Sequence, residues 1–345
     1  MRQYLRSGLA RAELGRTYAA VFAAIGLVLV AAGGTPAARA ANAPCDPGVP
    51  AITSGYGADG PYAMDQASIP NPVFRRQPVT VFFPRGAAGK RPVVFFSHGF
   101  GPGVWQAYQD LIRHVVSRGY TVVFSSYPVV GASIDGRYDD LWGGFQAAAS
   151  KFADRLDLTR VAFVGHSFGG GATPAMARHG IVEQGWGTHG ALLLALAPWY
   201  SYQTTDAQLR SLPASLVQAQ EVYEQDDKND WRMAIDQYDH APANARYFFV
   251  VRSATLHGCT LTADHSTPGR NVSVVQKQYG VFRAFDALAD YALGGNAAAG
   301  DSLAAMAHGS PGAAYDPLRL VTAPAPNPNG KYEFPWNSRQ NPRMK

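Results

Sequence analysis

Charge is scarce in this chain. Asp, Glu, Lys and Arg make up 16% of its 345 residues, against 47% hydrophobic. That balance excludes a disordered polymer and calls for a globular protein with a large core. Cysteine is scarcer still, with Cys45 and Cys259 alone. Two cysteines exclude a disulfide-dense scaffold and, in an exported chain, leave a Cys45–Cys259 bridge as the simplest pairing. Internal repeats are absent. The apolar run Val21–Val30 falls short of the roughly 20 residues that a membrane-spanning helix takes. It follows Arg2, Arg6, Arg11 and Arg16 and precedes Ala38-Arg39-Ala40. That is the order of a secretory signal: charged region, apolar region, small-residue cleavage site. Residues 1–40 therefore read as a leader cut after Ala40, and the rest as secreted or periplasmic with no stable membrane anchor. The leader holds five arginines against one glutamate, which is four of the chain's five net positive charges. A nearly neutral remainder argues against nucleic acid as a partner.

Residues 41–78 are rich in Pro, Gly and Asn and read as an irregular lead-in. Strand-like and helix-like segments then alternate. Strands are expected at Val79–Pro84, Pro92–Ser97, Thr121–Ser126, Arg160–Gly165, Ala191–Ala197, Ser215–Tyr223 and Arg246–Arg252. Several are continuous apolar runs, as buried parallel strands are. Helices are expected at Val104–Arg118, Leu141–Phe152, Phe168 to about Arg178, and Val274–Leu293. Alternation of this kind implies a doubly wound, mostly parallel sheet flanked by helices. Residues 294–345, rich in Gly, Ala, Pro and Asn, read as an extended tail or wrap without an assigned function, with Phe334, Pro335 and Trp336 as the residues expected to dock it on the core.

Gly165-His166-Ser167-Phe168-Gly169 has the G-x-S-x-G pattern, with a strand just before and a helix just after. That context is the nucleophile elbow of the α/β-hydrolase fold, in which a sharp turn lifts the serine out of the sheet. The expected domain is a single α/β-hydrolase unit over residues 41–293, with Ser167 as nucleophile. A serine hydroxyl needs a base, an acid that orients the base, and donors for the oxyanion. The backbone N–H of Phe168 is one expected donor. The N–H of Phe100, in the loop Ser97-His98-Gly99-Phe100-Gly101, is the other. His98 reads as a brace for that loop and His166 as a packing residue of the elbow. In this fold the acid follows the nucleophile and the base comes last. Glu224, Asp226, Asp227 and Asp230 are candidate acids; Asp226, the earliest aspartate, ranks first and Asp227 second. His257 and His265 are both candidate bases, and spacing alone leaves them equal. Chemistry of this type needs no metal or organic cofactor.

These residues resemble the bacterial cutinase-like polyester hydrolases, in the dienelactone-hydrolase-like branch of the α/β-hydrolases. Gly165 to Thr173 resembles that family's elbow, GHSMGGGGT. Leu196-Ala197-Pro198-Trp199 is similar to its L-T-P-W segment, Glu224-Gln225-Asp226 to its E-N-D, and Gly99-Phe100 to its G-Y oxyanion turn. His265-Ser266-Thr267-Pro268 is similar to its H-x-x-P. The resemblance implies a triad of Ser167, Asp226 and His265, with His257 second as base. It also implies that Phe100 and Trp199 line an acyl-binding groove. The implied activity is hydrolysis of a small-molecule or polymeric carboxylic ester through an acyl-enzyme. Thioester, lipid-acyl or peptide cleavage on the same residues are rival readings, and a non-catalytic secreted binding protein is a third. Four features depart from the family: the 39 positions from Asp226 to His265, the long Ser201–Leu216 segment, the acidic run Asp226-Asp227-Lys228-Asn229-Asp230, and the tail after residue 293.

Overall fold

The computed structural model describes residues 45–242, 245–269, 272–309 and 313–344. The leader expected over residues 1–40 lies outside them. Elements follow in the order β1 (Met64–Pro70), β2 (Pro78–Pro84), β3 (Arg91–Ser97), α1 (Gln109–Ser117), β4 (Thr121–Ser125), α2 (Ile134–Lys151), β5 (Leu156–His166) and α3 (Phe168–Ala177). Then come β6 (Gly190–Leu196), α4 (Asp206–Arg210), β7 (Val217–Tyr223), α5 (Arg232–His240), β8 (Arg246–Val251), β9 (Ala254–Leu256) and β10 (Cys259–Leu261). The last are α6 (Val274–Lys277), α7 (Arg283–Ala292), α8 (Ala298–Ala305) and β11 (Leu318–Leu320).

Nine strands form one sheet in the order β1-β2-β4-β3-β5-β6-β7-β8-β11. The six from β4 to β8 run parallel. The flanking pairs β1–β2, β2–β4 and β8–β11 are antiparallel. The fold is thus α/β, with the doubly wound, mostly parallel sheet of the α/β-hydrolase architecture. The strands β3, β4, β5 and β6 carry no polar face because helices cover both sides, whereas β7 buries Gln218, Gln220 and Glu221. Val94, Phe96, Val164 and Leu194 face a layer built from Leu111, Ile112, Phe285 and Leu288. Phe95, Phe163 and Leu193 face the opposite layer, with Tyr138, Leu141, Phe145 and Met176. Each such side chain, fully buried, contributes about 1.5–3 kcal/mol of transfer free energy.

Several elements depart from the sequence reading. The lead-in contains β1, an edge strand of half-exposed residues that lacks a clear apolar face. Helix α2 starts seven residues before the expected Leu141; Ser133 caps it by accepting from Gly136 N–H. Its first turns carry Asp135, Arg137 and Asp139, which hide the apolar period. The long helix after residue 274 is interrupted by a π-helical stretch, Gln278–Phe282, between α6 and α7. The stretch after Leu293 is more than a tail: it supplies α8 and the sheet's last strand, β11. Short helices α4 and α5 and the β9–β10 hairpin also lay in stretches without strong periodicity.

Cys45 and Cys259 form a disulfide across 214 positions. It ties the start of the described chain to the β9–β10 hairpin. His257 and Gly258 make the two-residue turn of that hairpin, with φ of 49° and 75°. Positive φ at both central positions is the type I′ pattern that suits strand twist.

Candidate active site

Strand β5 ends at His166 and helix α3 begins at Phe168, so Ser167 alone makes the turn between them. Its φ of 55° and ψ of −120° are strained for a residue with a Cβ. The turn holds because its neighbours are glycines. A Cβ on Gly165 would lie 2.3 Å from the Gly169 carbonyl oxygen, and one on Gly169 would lie 2.0 Å from that of Ser97. Both contacts are with backbone that cannot move aside. Two more bonds pin the elbow: Ser167 N–H donates to Leu196 C=O at 2.9 Å, and Trp199 N–H donates to Ser167 C=O at 2.8 Å.

His265 bridges the serine and a carboxylate. Its Nε2 lies 2.9 Å from Ser167 Oγ and its Nδ1 lies 2.9 Å from Asp226 Oδ2. With the proton on Nδ1, the ring donates to Asp226 and accepts from the serine hydroxyl. The Asp226 side chain is 1% exposed. A carboxylate buried that far needs its remaining lone pairs satisfied. Oδ1 accepts the backbone N–H groups of Lys228 at 2.8 Å and Asn229 at 3.2 Å. The two oxygens thereby divide the work: Oδ1 anchors the carboxylate to its own loop and leaves Oδ2 aimed at His265. Asn229 adds a bond from its side-chain amide to Ala197 C=O at 2.9 Å, which joins this loop to the end of β6.

The other aspartate and histidine candidates lie elsewhere. Asp227 has a side chain 73% exposed and pairs loosely with Lys228. Asp230 is buried but accepts from Arg232 and from Trp336 N–H. Glu224 accepts from Ser253 N–H. His257 is exposed in its hairpin turn beside the disulfide. The structure thus brings His265, not His257, to Ser167.

His166 does more than pack. Its Nε2 lies 2.8 Å from the backbone carbonyl of His265, and its Nδ1 lies 2.8 Å from Tyr108 Oη. Tyr108 Oη also accepts Gly99 N–H at 2.9 Å. The proton order follows from which groups can only donate or accept. The Gly99 amide donates to Tyr108. The tyrosine then gives its one proton to His166 Nδ1, and His166 Nε2–H donates to His265 C=O. The ring must be neutral for this order, and burial together with the adjacent His265 pushes its pKa well below the ordinary histidine value. Tyr108 is buried too, which raises its pKa and keeps its proton in place. This relay ties the base loop to the Gly99-Phe100 turn through the residue before the nucleophile.

His98 braces the same turn from behind. It stacks on Tyr127 at 4.1 Å and its Nδ1 donates to Gly99 C=O at 2.7 Å. Burial lowers its pKa to about 4, so it stays neutral. Gly99 N–H is committed to Tyr108, and Phe100, the oxyanion donor that the sequence leads one to expect, is the next residue of this turn. On the other side, Phe168 N–H opens α3, where the first turn of a helix has donors without intrahelical partners.

These groups border a cleft of about 240 Å³. Phe100, Pro102 and Val104 form its apolar rim, and Tyr108, His166, Ser167 and His265 its floor. Phe100 is 49% exposed there, with the Arg137 guanidinium 5.4 Å from its ring centre. Trp199 is not at the cleft, contrary to the groove-lining role expected for it. It is 8% exposed and enclosed by the rings of Phe168, Tyr200, Tyr202 and Phe334. Phe334 belongs to the C-terminal segment, so no local pattern around Trp199 announces this burial.

Among the described residues, Asp206, Asp236 and His240 bring three potential metal-ligand atoms together. Arg343 already lies between the two carboxylates, at 3.0 Å from Asp236 and 3.3 Å from Asp206. None of the three borders the cleft. Among the described residues no helix is long and apolar enough to cross a membrane. No protein-family model matches the sequence, and no curated protein matches it either.

Proposed function

We propose that the protein is a secreted serine hydrolase of carboxylic esters, of the cutinase-like kind that its motifs resemble. The observation that carries this reading is His265, held between Ser167 Oγ and Asp226 at 2.9 Å on each side of an elbow serine. In the proposed cycle His265 Nε2 takes the hydroxyl proton as Ser167 Oγ attacks the ester carbonyl. Asp226 holds the ring in the tautomer that accepts at Nε2 and stabilises the imidazolium that forms. The amides of Phe100 and Phe168 donate to the oxyanion of the tetrahedral intermediate. His265 then protonates the leaving alcohol, leaving an acyl group on Ser167. Water, activated by the same histidine, releases the acid and restores the hydroxyl.

The cleft supports short acyl groups. Its volume of about 240 Å³ is below the roughly 300–1,000 Å³ of pockets that enclose larger ligands. The disulfide suits an oxidising compartment, in keeping with export. The test is turnover of p-nitrophenyl acetate, butyrate and octanoate by the wild type and by Ser167→Ala. The expected result is acetate and butyrate turnover well above octanoate, and none above background for Ser167→Ala. Equal rates for the two proteins would remove the proposal.

A further inference from the structure

The chain from Glu333 to Trp336 lies along the loop that carries Asp226. Glu333 N–H donates to Asp227 C=O at 2.9 Å, and Phe334 N–H to Lys228 C=O at 2.8 Å. Asp230 N–H returns a bond to Phe334 C=O at 3.2 Å, and Trp336 N–H donates to Asp230 Oδ2 at 3.0 Å. Asn229 and Phe334 pair as a parallel β-bridge. The segment is seated from below as well. The Phe334 ring meets Trp199 edge-on at 5.7 Å, and Tyr200 Oη donates to Pro335 C=O at 2.6 Å. Further along, Tyr202 Oη donates to Gln340 C=O, and Arg343 reaches Asp206, Asp236 and Thr204 C=O.

Lys228 connects the two sets of bonds. Its N–H grips Asp226 Oδ1, and its C=O is gripped by Phe334. The loop spans few residues between β7 and α5; Glu224 and Gln225 are tied by their amides to Val251 and Ala263, and beyond them Asp227, Lys228 and Asp230 are paired along the backbone with this segment. A loop of that kind is held by whatever pairs with it. We infer that residues 333–336 are a strap that positions Asp226, and that Phe334 is a positioning residue for the His265–Asp226 pair. The C-terminal extension then belongs to the active site through the loop that carries Asp226. The inference rests on the esterase reading for its activity readout.

The test uses two variants of the full-length chain. Phe334→Pro deletes the amide that donates to Lys228. Phe334→Ala keeps that amide and removes only the ring on Trp199. The expected result for Phe334→Pro is a kcat at least tenfold lower at nearly unchanged KM. Its downfield Nδ1–H proton signal of His265 in NMR should also be lost. Phe334→Ala should keep the signal and lose kcat by less than threefold. Wild-type kcat and an intact proton signal in Phe334→Pro would overturn the inference. So would equal loss in both variants, which would mean general loosening. Hydrogen exchange on the unaltered chain gives a reading that needs no variant. The amides of Lys228, Asn229 and Phe334 should exchange together, and fast exchange of Phe334 beside protected Lys228 and Asn229 would overturn the strap. If the wild type turns over no ester, the esterase reading fails, while the proton signal and the exchange pattern still judge the strap.

Discussion

The two sides of Ser167 are held by different means. On the base and oxyanion side, the support is a chain of buried side chains: His265 C=O, His166, Tyr108 and Gly99 N–H, with each link at 2.8 or 2.9 Å. On the acid side, the support is mostly backbone. Asp226 is gripped by the amides of its own loop, and the loop is gripped by a segment more than a hundred positions later. The first arrangement is short, buried and formed within the sheet's own connections. The second is at the margin of the fold and depends on the chain's last segment. A buried relay loses everything when one member is removed, because its neighbours are left unsatisfied. Several parallel bonds share the load there, so weakening one side-chain bond of the strap costs less than deleting a backbone amide from it.

The largest effect belongs to the residue where both sides meet. His265→Ala should lower kcat/KM on p-nitrophenyl butyrate by on the order of 10⁴-fold or more, as loss of a triad base does. His257→Ala should leave it within about twofold, since that ring lies in an exposed hairpin turn. Equal losses would erase the distinction between the two histidines.

Next comes the contrast itself. Tyr108→Phe keeps the ring and removes the hydroxyl that serves both Gly99 and His166. Steady-state kinetics should show kcat down by about 10- to 100-fold, the scale of a small displacement of catalytic groups. Asp230→Asn weakens one bond to the strap, at Trp336 N–H, along with the Arg232 pair, and leaves the strap's backbone bonds in place. Its kcat should fall by about threefold, the scale of one weakened hydrogen bond. The reverse ranking would break the comparison.

Two further changes act on stability and leave the rate alone. Replacing Cys45 and Cys259 together by serine frees the hairpin that precedes His265. Loss of a bridge typically costs about 2–4 kcal/mol, so urea unfolding should shift by that order while activity at 25 °C persists. The last prediction concerns Glu221, buried on β7 below the acid loop and accepting from Tyr223 Oη. Burial pushes its carboxyl up from 4.5 to about 7, with the tyrosine bond opposing. The folded state therefore holds a proton that the unfolded state releases first. Stability falls as pH rises from about 4.5 through about 7, by up to about 3 kcal/mol, and is level above that. Urea unfolding at pH 5 and pH 8 should show this loss in the wild type and a much smaller one in Glu221→Gln.

Much of this molecule is legible in its sequence. The parallel strands show as apolar runs, and Gly165, Ser167 and Gly169 sit where the turn demands them. Asp226 and His265 are less legible: charge and order leave four acids and two bases open, and only the resemblance ranks the bases. What stayed hidden was non-local. Nothing near Lys228 announces Phe334, because a β-bridge across a hundred positions leaves no period in the sequence. The same contact explains Trp199, which reads as a groove residue until Phe334 is seen to cover it. His166 was visible but ambiguous, since a buried packing histidine and one bonded at both nitrogens look alike in sequence. Tyr108 gave no signal at all beyond being aromatic.

The most direct test of the central claim is covalent. The protein, treated with a fluorophosphonate probe and digested, should carry one adduct, mapped by mass spectrometry to the peptide containing Ser167. Labelling should vanish in Ser167→Ala and drop sharply in His265→Ala. An unlabelled wild type, or an adduct on any other serine, would contradict the account.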